Sequence, residues 1–355
     1  MDSRKVDFLN IGLIVLSLLA AFWMPFGLFL FSYAILGPLH YLTEINWLDE
    51  RAYFSKSKST PWLLGGFVLL ICFASFFAEG ARNPSLAGFR AFVNESFAKG
   101  FFELMVSWVV HLAFLSFVVA VALAAFKDWK FRILIVILGI AIAYVFRSNN
   151  TYTLLVGSML PTFIHVCVFT GLFMLYGAMK SGSRPGYASV IVFVLAHLAI
   201  AFWPIDARQH FLASADPVKE RFFESGFQNV IYQLGLVLGK VTQGSNFMLN
   251  SELGIRMGIF LAFAYTYHYL NWFSKTSIIR WHEVSKRKLI WAVVIWIISI
   301  ALYAYNYRVG LLALLFLSLL HVVFEFPLNY MSISGIVSGL GQRMGWGNSS
   351  KKSVG

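Results

Sequence analysis

Charged side chains are scarce in this chain. Only 12% of its 355 residues are Asp, Glu, Lys or Arg, whereas soluble domains carry roughly a quarter. Hydrophobic residues make up 59%, and the mean hydropathy is +0.73. This composition excludes an ordinary soluble domain and predicts an all-α, polytopic transmembrane protein.

Cysteine and the familiar catalytic signatures are also lacking. Cys72 and Cys167 both lie in apolar runs, which argues against a disulfide framework. The sequence has no P-loop, no G-x-G-x-x-G after a strand, no G-x-S-x-G and no H-E-x-x-H. It also lacks the paired histidine boxes of the membrane fatty-acid desaturases. Any chemistry must therefore come from residues that are far apart in the sequence.

The net charge of +12 does not indicate a nucleic-acid partner. The Lys and Arg residues lie in short loops between apolar runs, and none of these loops forms a basic stripe with interleaved aromatic residues. Retention of loops in the cytoplasm and contact with anionic headgroups explain this charge better. The expected partners are the lipid bilayer and a lipophilic small molecule, with no nucleic acid.

A helix that crosses a bilayer needs about 20 mostly apolar residues. Nine segments qualify, and Gly, Pro, Ser or Lys residues mark most of their boundaries. They are 8–36, 61–78, 102–126, 131–146, 153–179, 187–204, 253–273, 289–306 and 308–327. We therefore expect one transmembrane helical domain over residues 1–331 and a flexible tail over 332–355.

The stretch 205–252 fits this pattern least. Its apolar run over 227–241 is short and is interrupted by Gln, Asn, Gly and Lys, which favours an interfacial or re-entrant helix over a tenth span. With nine spans, the loops richer in Lys and Arg fall on one side, which the positive-inside rule assigns to the cytoplasm. The N-terminus would then lie outside. A span over 227–241 would invert everything that follows it.

Six of the eight histidines fall inside the apolar runs or at their ends. They are His40, His111, His165, His197, His268 and His321. An ionisable side chain in hydrocarbon is costly and is retained where it faces a partner, an ion or a water-filled cavity. With nine spans these residues gather between the midplane and one interface, so we predict a shared site in the cytoplasmic leaflet.

Two of these histidines have a glutamate four residues further on, namely His40 with Glu44 and His321 with Glu325. Residues four apart share a helical face, and an imidazole with a carboxylate suits iron or zinc. Each glutamate could instead accept a proton from the other ring nitrogen and fix the orientation of the ring. A hydrogen-bonded pair near the headgroups is the purely structural alternative.

The segment 265–275 places His268 among tyrosines and tryptophans. An interfacial aromatic belt explains the rings, but it does not explain His268 or Asn271, which lies three residues further on. His165 follows Pro161, which can open backbone carbonyls into a cavity. We predict the metal ligands His40, Glu44, His165, His268, His321 and Glu325, with Tyr267 and Asn271 orienting substrate or water. His111 and His197 are more typical of hydrogen bonds between helices.

The histidines in Leu39-His40-Tyr41 and Tyr267-His268-Tyr269, set in a helical membrane protein with one or two carboxylates, resemble the bacterial Brp/Blh type of membrane β-carotene dioxygenases. In that family a non-haem iron held by histidines splits a carotenoid to retinal. The resemblance implies a mononuclear or dinuclear iron site that acts with O₂ on a carotenoid, an isoprenoid or a fatty chain. It also implies residence in a bacterial inner membrane.

Two other classes of protein fit the same residues. A proton-coupled transporter would relay protons through His and Glu, although the sequence shows neither an inverted repeat nor paired broken helices. A haem- or quinone-binding electron carrier would use His111, His165 or His197 as axial ligands. Non-haem iron is the expected cofactor, ahead of zinc or haem.

Overall fold

The computed structural model consists of α-helices and π-helical stretches, and no β-strand occurs among the residues it describes. Those residues are 3–50, 60–82, 88, 91–92, 94, 99–242, 249–275 and 285–344. Within these ranges, eight helices are long and apolar enough to cross a membrane. The expectation of an all-helical protein of membrane type is confirmed.

The helices follow one another along the chain, and two π-helical segments join some of them into longer rods. In chain order they are α1 (Ser3–Trp23), α2 (Pro25–Phe31), α3 (Gly37–Glu50), α4 (Thr60–Arg82), α5 (Lys99–Ala125), α6 (Trp129–Val145), α7 (Asn150–Leu154), α8 (Thr170–Ser181), α9 (Arg184–Phe202), α10 (Ala207–Ala213), α11 (Asp216–Glu224), α12 (Phe227–Val237), α13 (Glu252–Ser274), α14 (Lys286–Tyr305) and α15 (Tyr307–Arg343). Segment Ser32–Leu36 joins α2 to α3, and segment Leu155–Phe169 joins α7 to α8.

The surface of the bundle is apolar. Large hydrophobic side chains such as Leu16, Trp23 and Val194 are exposed on it. The core is also mainly hydrophobic, but it buries imidazoles and carboxylates, among them those of His165 and Glu325. An apolar surface around buried ionisable groups suits a molecule whose solvent is lipid.

The segment predicted as a single span over 8–36 is two helices. Helix α1 ends at Trp23 and α2 begins at Pro25, because Met24 between them has a non-helical backbone (φ −137°, ψ 67°). Proline disfavours the helical conformation in the residue before it. The prediction was wrong because the residues on both sides of the break are apolar, so hydropathy shows no gap.

The boundary predicted at Gly37-Pro38 lies inside a continuous rod. Proline normally interrupts a helix because it has no amide proton to donate. Here the π-helical segment Ser32–Leu36 precedes it, and the Gly37 amide donates to the carbonyl of Ser32, five residues earlier. The wider turn therefore carries the helix past Pro38 into α3.

Helix α13 lies at the centre and fixes the direction of its neighbours. Near the middle of α13, Thr266 Oγ1 lies 2.7 Å from Ser32 Oγ. Closer to its C-terminal end, Trp272 donates a 3.0 Å hydrogen bond to Thr43. The rod formed by α2 and α3 therefore runs parallel to α13.

Helix α1 runs in the opposite direction. Ser274, the last residue of α13, donates a hydrogen bond to Asn10, and Ser183, between α8 and α9, donates one to Asp7. The start of α1 thus lies at the same end of the bundle as the 180–186 connection. The nine-span prediction placed the N-terminus on the opposite side of the membrane from the 180–186 connection. This prediction was wrong, because the chain reverses its direction once more at Met24.

Basic side chains collect at the end of the bundle where Asp7 and Ser183 lie, which we call the basic end. They are Lys127, Lys130, Arg132, Lys180, Arg184, Lys275, Lys286, Arg287, Lys288 and Arg343. The opposite end carries charges of both signs in nearly equal number. The acidic residues there are Glu79, Glu103, Asp206, Asp216, Glu220, Glu224 and Glu252, and the basic ones are Arg82, Lys99, Arg147, Arg208, Lys219, Arg221, Lys240, Arg256 and Arg308. The net positive charge of the described chain is therefore concentrated at the basic end.

The segment 205–252 does not cross the bundle. Its helix α12 has 11 residues, or about 16 Å at 1.5 Å per residue, which is about half the ~30 Å hydrocarbon core of a bilayer. Arg256 donates 2.9 Å hydrogen bonds to the carbonyls of Ile200 and Trp203. The end of α9 and the start of α13 therefore lie at the same end of the bundle, opposite the basic end.

Helix α15 continues past the boundary predicted at residue 331 and ends at Arg343. Ser332 and Ile336 are buried, so this part of α15 still packs against the bundle. The Gly- and Ser-rich composition that suggested a flexible tail reflects close packing, since Gly335 lies directly under the ring of Tyr176 in α8.

Gly335→Ala is expected to destabilise the fold, although alanine favours a helix over glycine by about 1 kcal/mol. A Cβ at this position would overlap the ring of Tyr176, and overpacking costs about 1–3 kcal/mol. Gly341→Ala on the same helix meets nothing within 4 Å and should be neutral or stabilising. Thermal unfolding in detergent compares the two variants, and equal stability would contradict the close approach of α8 and α15.

Candidate metal centre

Four imidazoles meet in the interior of the bundle. Nε2 of His40 lies 3.1 Å from Nε2 of His268, and Nε2 of His165 lies 3.2 Å from Nε2 of His321. The ring centroids of His40 and His321 are 5.4 Å apart, and those of His165 and His268 are 4.9 Å apart. All four side chains are buried. They come from α3, the segment Leu155–Phe169, α13 and α15, so the fold brings together residues that are remote in the sequence.

Irregular helical turns accompany two of these histidines. His165 lies inside the π-helical segment Leu155–Phe169, and His40 follows the π-helical segment Ser32–Leu36. π-Helical turns are frequent at functional sites. Pro161, which was expected to open the helix, is accommodated within the wider turn of the first of these segments.

Glu44 brings a carboxylate to the same point. Its Oε2 lies 3.1 Å from Nε2 of His40, which is the nitrogen that also faces His268. A carboxylate that only fixed the orientation of the ring would contact the other nitrogen, Nδ1. The described residues provide no hydrogen-bond partner for His40 Nδ1. The carboxylate of Glu44 therefore lies on the inner side of the His40 ring, where it could serve as a second ligand.

Glu325 and Thr170 contact ring nitrogens on the outer side of the cluster. Oε2 of Glu325 lies 3.0 Å from Nδ1 of His165, and Oγ1 of Thr170 lies 2.8 Å from Nδ1 of His268. The Thr170 contact is a hydrogen bond, which fixes the tautomer and orientation of the His268 ring. The Glu325 contact is a close approach only, because neither of its two atoms has a hydrogen-bond partner among the described residues. The contact predicted within one helix, between His321 and Glu325, is replaced by a contact between α15 and the segment that carries His165.

The spacing of the inner nitrogens fits the ligands of a single metal ion. Ligand atoms about 2.1 Å from one ion, at right or tetrahedral angles, lie about 3.0–3.4 Å from one another. The His40–His268 and His165–His321 separations fall in this range. Ligand nitrogens of His40, His268 and His321 also lie within 4.8 Å of one another.

The charge of the cluster fits a divalent cation. Glu44 and Glu325 are only 2% and 4% exposed, and the imidazoles around them are uncharged unless they are protonated. Burying an unbalanced carboxylate is strongly unfavourable. Two carboxylates together carry two negative charges, which one divalent ion would balance.

A cavity of about 200 Å³ opens directly onto the cluster. Aromatic rings, including those of Trp47, Phe173 and Trp272, form much of its wall. Asn271 and Lys275 lie on its wall beyond His268, towards the basic end. A ligand in this cavity could therefore contact the cluster, an apolar surface and two polar side chains at once.

Lys275 follows the last residue of α13. Burial lowers the pKa of its ammonium group to about 8, while the carboxylates of Asp7 and Glu325 act in the opposite direction. A pKa of about 8 leaves the side chain largely protonated at neutral pH, so this wall of the cavity carries a positive charge.

The two residues predicted to orient substrate or water have different surroundings. Asn271 is buried on the cavity wall, and its Oδ1 has no hydrogen-bond partner among the described residues. Tyr267 points elsewhere, with its hydroxyl 3.2 Å from Asn10 Oδ1 and 3.3 Å from Met174 Sδ. Adjacent residues of an α-helix diverge by about 100°, so Tyr267 faces away from His268. It connects α13 to α1 and α8.

The remaining intramembrane histidines lie outside the cluster. Nδ1 of His111 is 3.2 Å from the hydroxyl of Tyr152. His197 lies with Nδ1 2.8 Å from the carbonyl of Phe193 and Nε2 3.1 Å from Cys167 Sγ. These contacts are the hydrogen bonds within and between helices that the sequence suggested for these two residues. His282 lies outside the described residues.

Sequence reasoning missed several aromatic neighbours of the cluster. The ring of Tyr41 stacks on His321 at 5.6 Å between centroids, and Tyr269 lies 5.1 Å from His40. Trp272 packs 5.7 Å from His40. It follows His268 by four residues, a spacing that could have identified it as a member of the same helical face.

Thr170 was missed for a different reason. It follows His165 by five residues, which an α-helix would turn to another face. A π-helix hydrogen-bonds residues five apart, and the segment Leu155–Phe169 brings both side chains to His268.

Comparison with known protein families, with curated proteins and with solved structures gives no match. The likeness to the Brp/Blh type of dioxygenase therefore depends on the pattern of histidines alone. The function of this chain has to be argued from the geometry and charge of its buried histidine and glutamate cluster.

Proposed function

We propose that this chain is an integral-membrane metalloenzyme with a non-haem iron centre. The observation that supports it is the group of His40, His268 and His321, whose ligand nitrogens lie within 4.8 Å of one another. Nε2 of His165 lies 3.2 Å from that of His321, and a carboxylate oxygen of Glu44 lies 3.1 Å from that of His40. The proposed ligands are His40, Glu44, His165, His268 and His321. Thr170 holds the ring of His268 in position through a hydrogen bond, and Glu325 lies against Nδ1 of His165.

The donor set favours iron without haem. The paired Nε2 atoms are only 3.1 Å and 3.2 Å apart, which leaves no space for a porphyrin between the rings. Nitrogen and carboxylate donors suit both iron and zinc. Structural zinc sites are almost always four-coordinate, however, and five donors converge here.

The proposed reaction is the O₂-dependent oxidation or cleavage of a lipophilic substrate such as a carotenoid, an isoprenoid or a fatty chain. When bound, iron with open coordination positions would supply the activation of O₂. The aromatic wall formed by Trp47, Phe173 and Trp272 would hold an apolar chain beside the cluster. Asn271 would orient a polar group of the substrate or a water molecule.

The proposed orientation places the basic end in the cytoplasm, following the positive-inside rule. The predicted span 8–36 is two helices. The nine predicted spans therefore become ten helical segments, in which helices joined by a π-helical stretch count as one. We propose that all ten cross the bilayer, with α10, α11 and α12 along the opposite interface. The metal centre would then lie in the cytoplasmic leaflet of a membrane, the bacterial inner membrane if the family resemblance holds.

Metal analysis of the detergent-purified protein tests this proposal. Near-stoichiometric iron together with the absence of a Soret band is the expected result. A Soret band would favour the haem-binding electron carrier. Metal-free protein that moves protons in vesicles would favour the proton-coupled transporter, and either result would overturn the iron enzyme.

A further inference from the structure

A second cavity, of about 400 Å³, adjoins the cavity at the histidine cluster. The two share Phe173, Asn271 and Lys275 in their walls. The outer cavity also reaches Asp7 and Lys180, near the basic end. We call the two cavities together the inlet, because they share part of their walls and lie one after the other between the basic end of the bundle and the cluster.

Polar groups without partners face the inner part of the inlet. Asn271 and Ser332 are 6% and 1% exposed and line the inner cavity. Neither Asn271 Oδ1 nor Ser332 Oγ has a hydrogen-bond partner among the described residues. Leaving a buried polar group unpaired costs about 1–3 kcal/mol, so these atoms are placed to bind water or a polar ligand.

Lys275 lies where the two cavities join. Asp7 lies beside it in the outer cavity and accepts a hydrogen bond from Ser183. Glu44 and Glu325 line the inner cavity, where a divalent ion bound at the cluster would balance their charge. The ammonium group and the side-chain amide of Asn271 border the inlet together. A cation beside an amide is a suitable binding point for a singly charged oxyanion, because both supply hydrogen-bond donors.

We propose that the inlet is a water-filled, anion-selective entrance that binds small hydrophilic anions, such as carboxylates, between Lys275 and Asn271. The inner cavity of about 200 Å³ is large enough for several water molecules, so a small hydrated anion or the polar head of a larger molecule fits. This role goes beyond the proposed oxygenase function, because it does not depend on which metal the cluster binds.

Cysteine accessibility tests the inlet directly. The variant is Ser332→Cys, in a protein whose own cysteines are removed by Cys72→Ala and Cys167→Ala. The probes are the anionic reagent sulfonatoethyl methanethiosulfonate and its cationic trimethylammonioethyl counterpart. Each labelling rate at position 332 is divided by the rate of the same reagent at Gly341→Cys, which lies on the same helix outside the inlet. We expect the corrected rate of the anionic reagent to be at least tenfold higher than that of the cationic reagent.

The contribution of Lys275 is isolated by substitution. Lys275→Met should reduce the ratio of anionic to cationic labelling at position 332 about tenfold, and Lys275→Gln should do the same. Lys130→Met, at the basic end but away from both cavities, should leave the ratio unchanged. Circular dichroism and gel filtration show whether each variant is folded.

Two outcomes would overturn the proposal. If position 332 is not labelled while position 341 is, the inlet is closed. If both reagents label position 332 at equal corrected rates, the entrance has no selectivity for anions. Neither outcome bears on iron content, so failure of the inlet is distinguishable from failure of the proposed metal centre.

Discussion

The His268→Ala protein is expected to retain less than a tenth of the metal bound by the wild type. Nε2 of His268 lies 3.1 Å from that of His40, and its Nδ1 is held by Thr170 at 2.8 Å, so the ring is fixed in a ligand position. Disturbing even the groups that orient metal ligands costs about 10–100-fold in affinity, and removing a ligand should cost at least as much. Elemental analysis after identical purification measures the loss.

Two further variants sharpen this test. His210→Ala removes a histidine from α10, at the opposite end of the bundle, and should leave the metal content unchanged. Thr170→Val removes only the hydrogen bond to His268 and should weaken metal binding about tenfold. Full metal occupancy in His268→Ala protein would show that the imidazoles form a hydrogen-bonded network rather than a metal site.

Glu44→Gln is expected to change stability in opposite directions with and without metal. Without metal, the substitution removes one of two buried carboxylates, and the single ammonium group of Lys275 cannot balance both, so the variant should unfold at a higher temperature than the wild type. With metal, the wild type should gain about 2.7 kcal/mol at a free metal concentration of 100 times Kd. The variant should gain much less, because it has lost a charged ligand.

Thermal unfolding in detergent, with and without added ferrous iron under anaerobic conditions, measures both effects. Glu103→Gln is the matched control, because the Glu103 side chain is 69% exposed and should respond to metal as the wild type does. An equal metal-induced shift in Glu44→Gln and wild-type protein would exclude Glu44 as a ligand.

The four histidines of the cluster could be selected from the sequence because an ionisable group in an apolar run needs a reason to be there. That argument is strong for His40, His268 and His321, because all three lie towards the cytoplasmic ends of the spans predicted from the sequence. It could not tell His165 from His197 by itself, since both lie in mid-run. Only the nearby Pro161, which was expected to interrupt the helix, favoured His165 over His197. The structure shows a π-helical turn at Pro161 and no break in the helix.

Other features could not be predicted because they depend on tertiary contacts. Spacing within one helix suggested that Glu325 would partner His321, but packing directs it to His165. Spacing also left open whether Glu44 is a ligand, and only its position beside Nε2 of His40 favours that role. The break at Met24 is invisible to hydropathy, and it changed the expected side of the N-terminus.

The extra residue in each π-helical turn sets the rotation, about the helix axis, of all the residues that follow it. An α-helix advances about 100° per residue, so deleting one residue from Ser32–Leu36 would rotate every side chain of α3 to a different face. His40 and Glu44 would turn away from α13 together, while the rod kept its length to within one residue. Insertions and deletions in this stretch should thus be far more damaging than conservative substitutions.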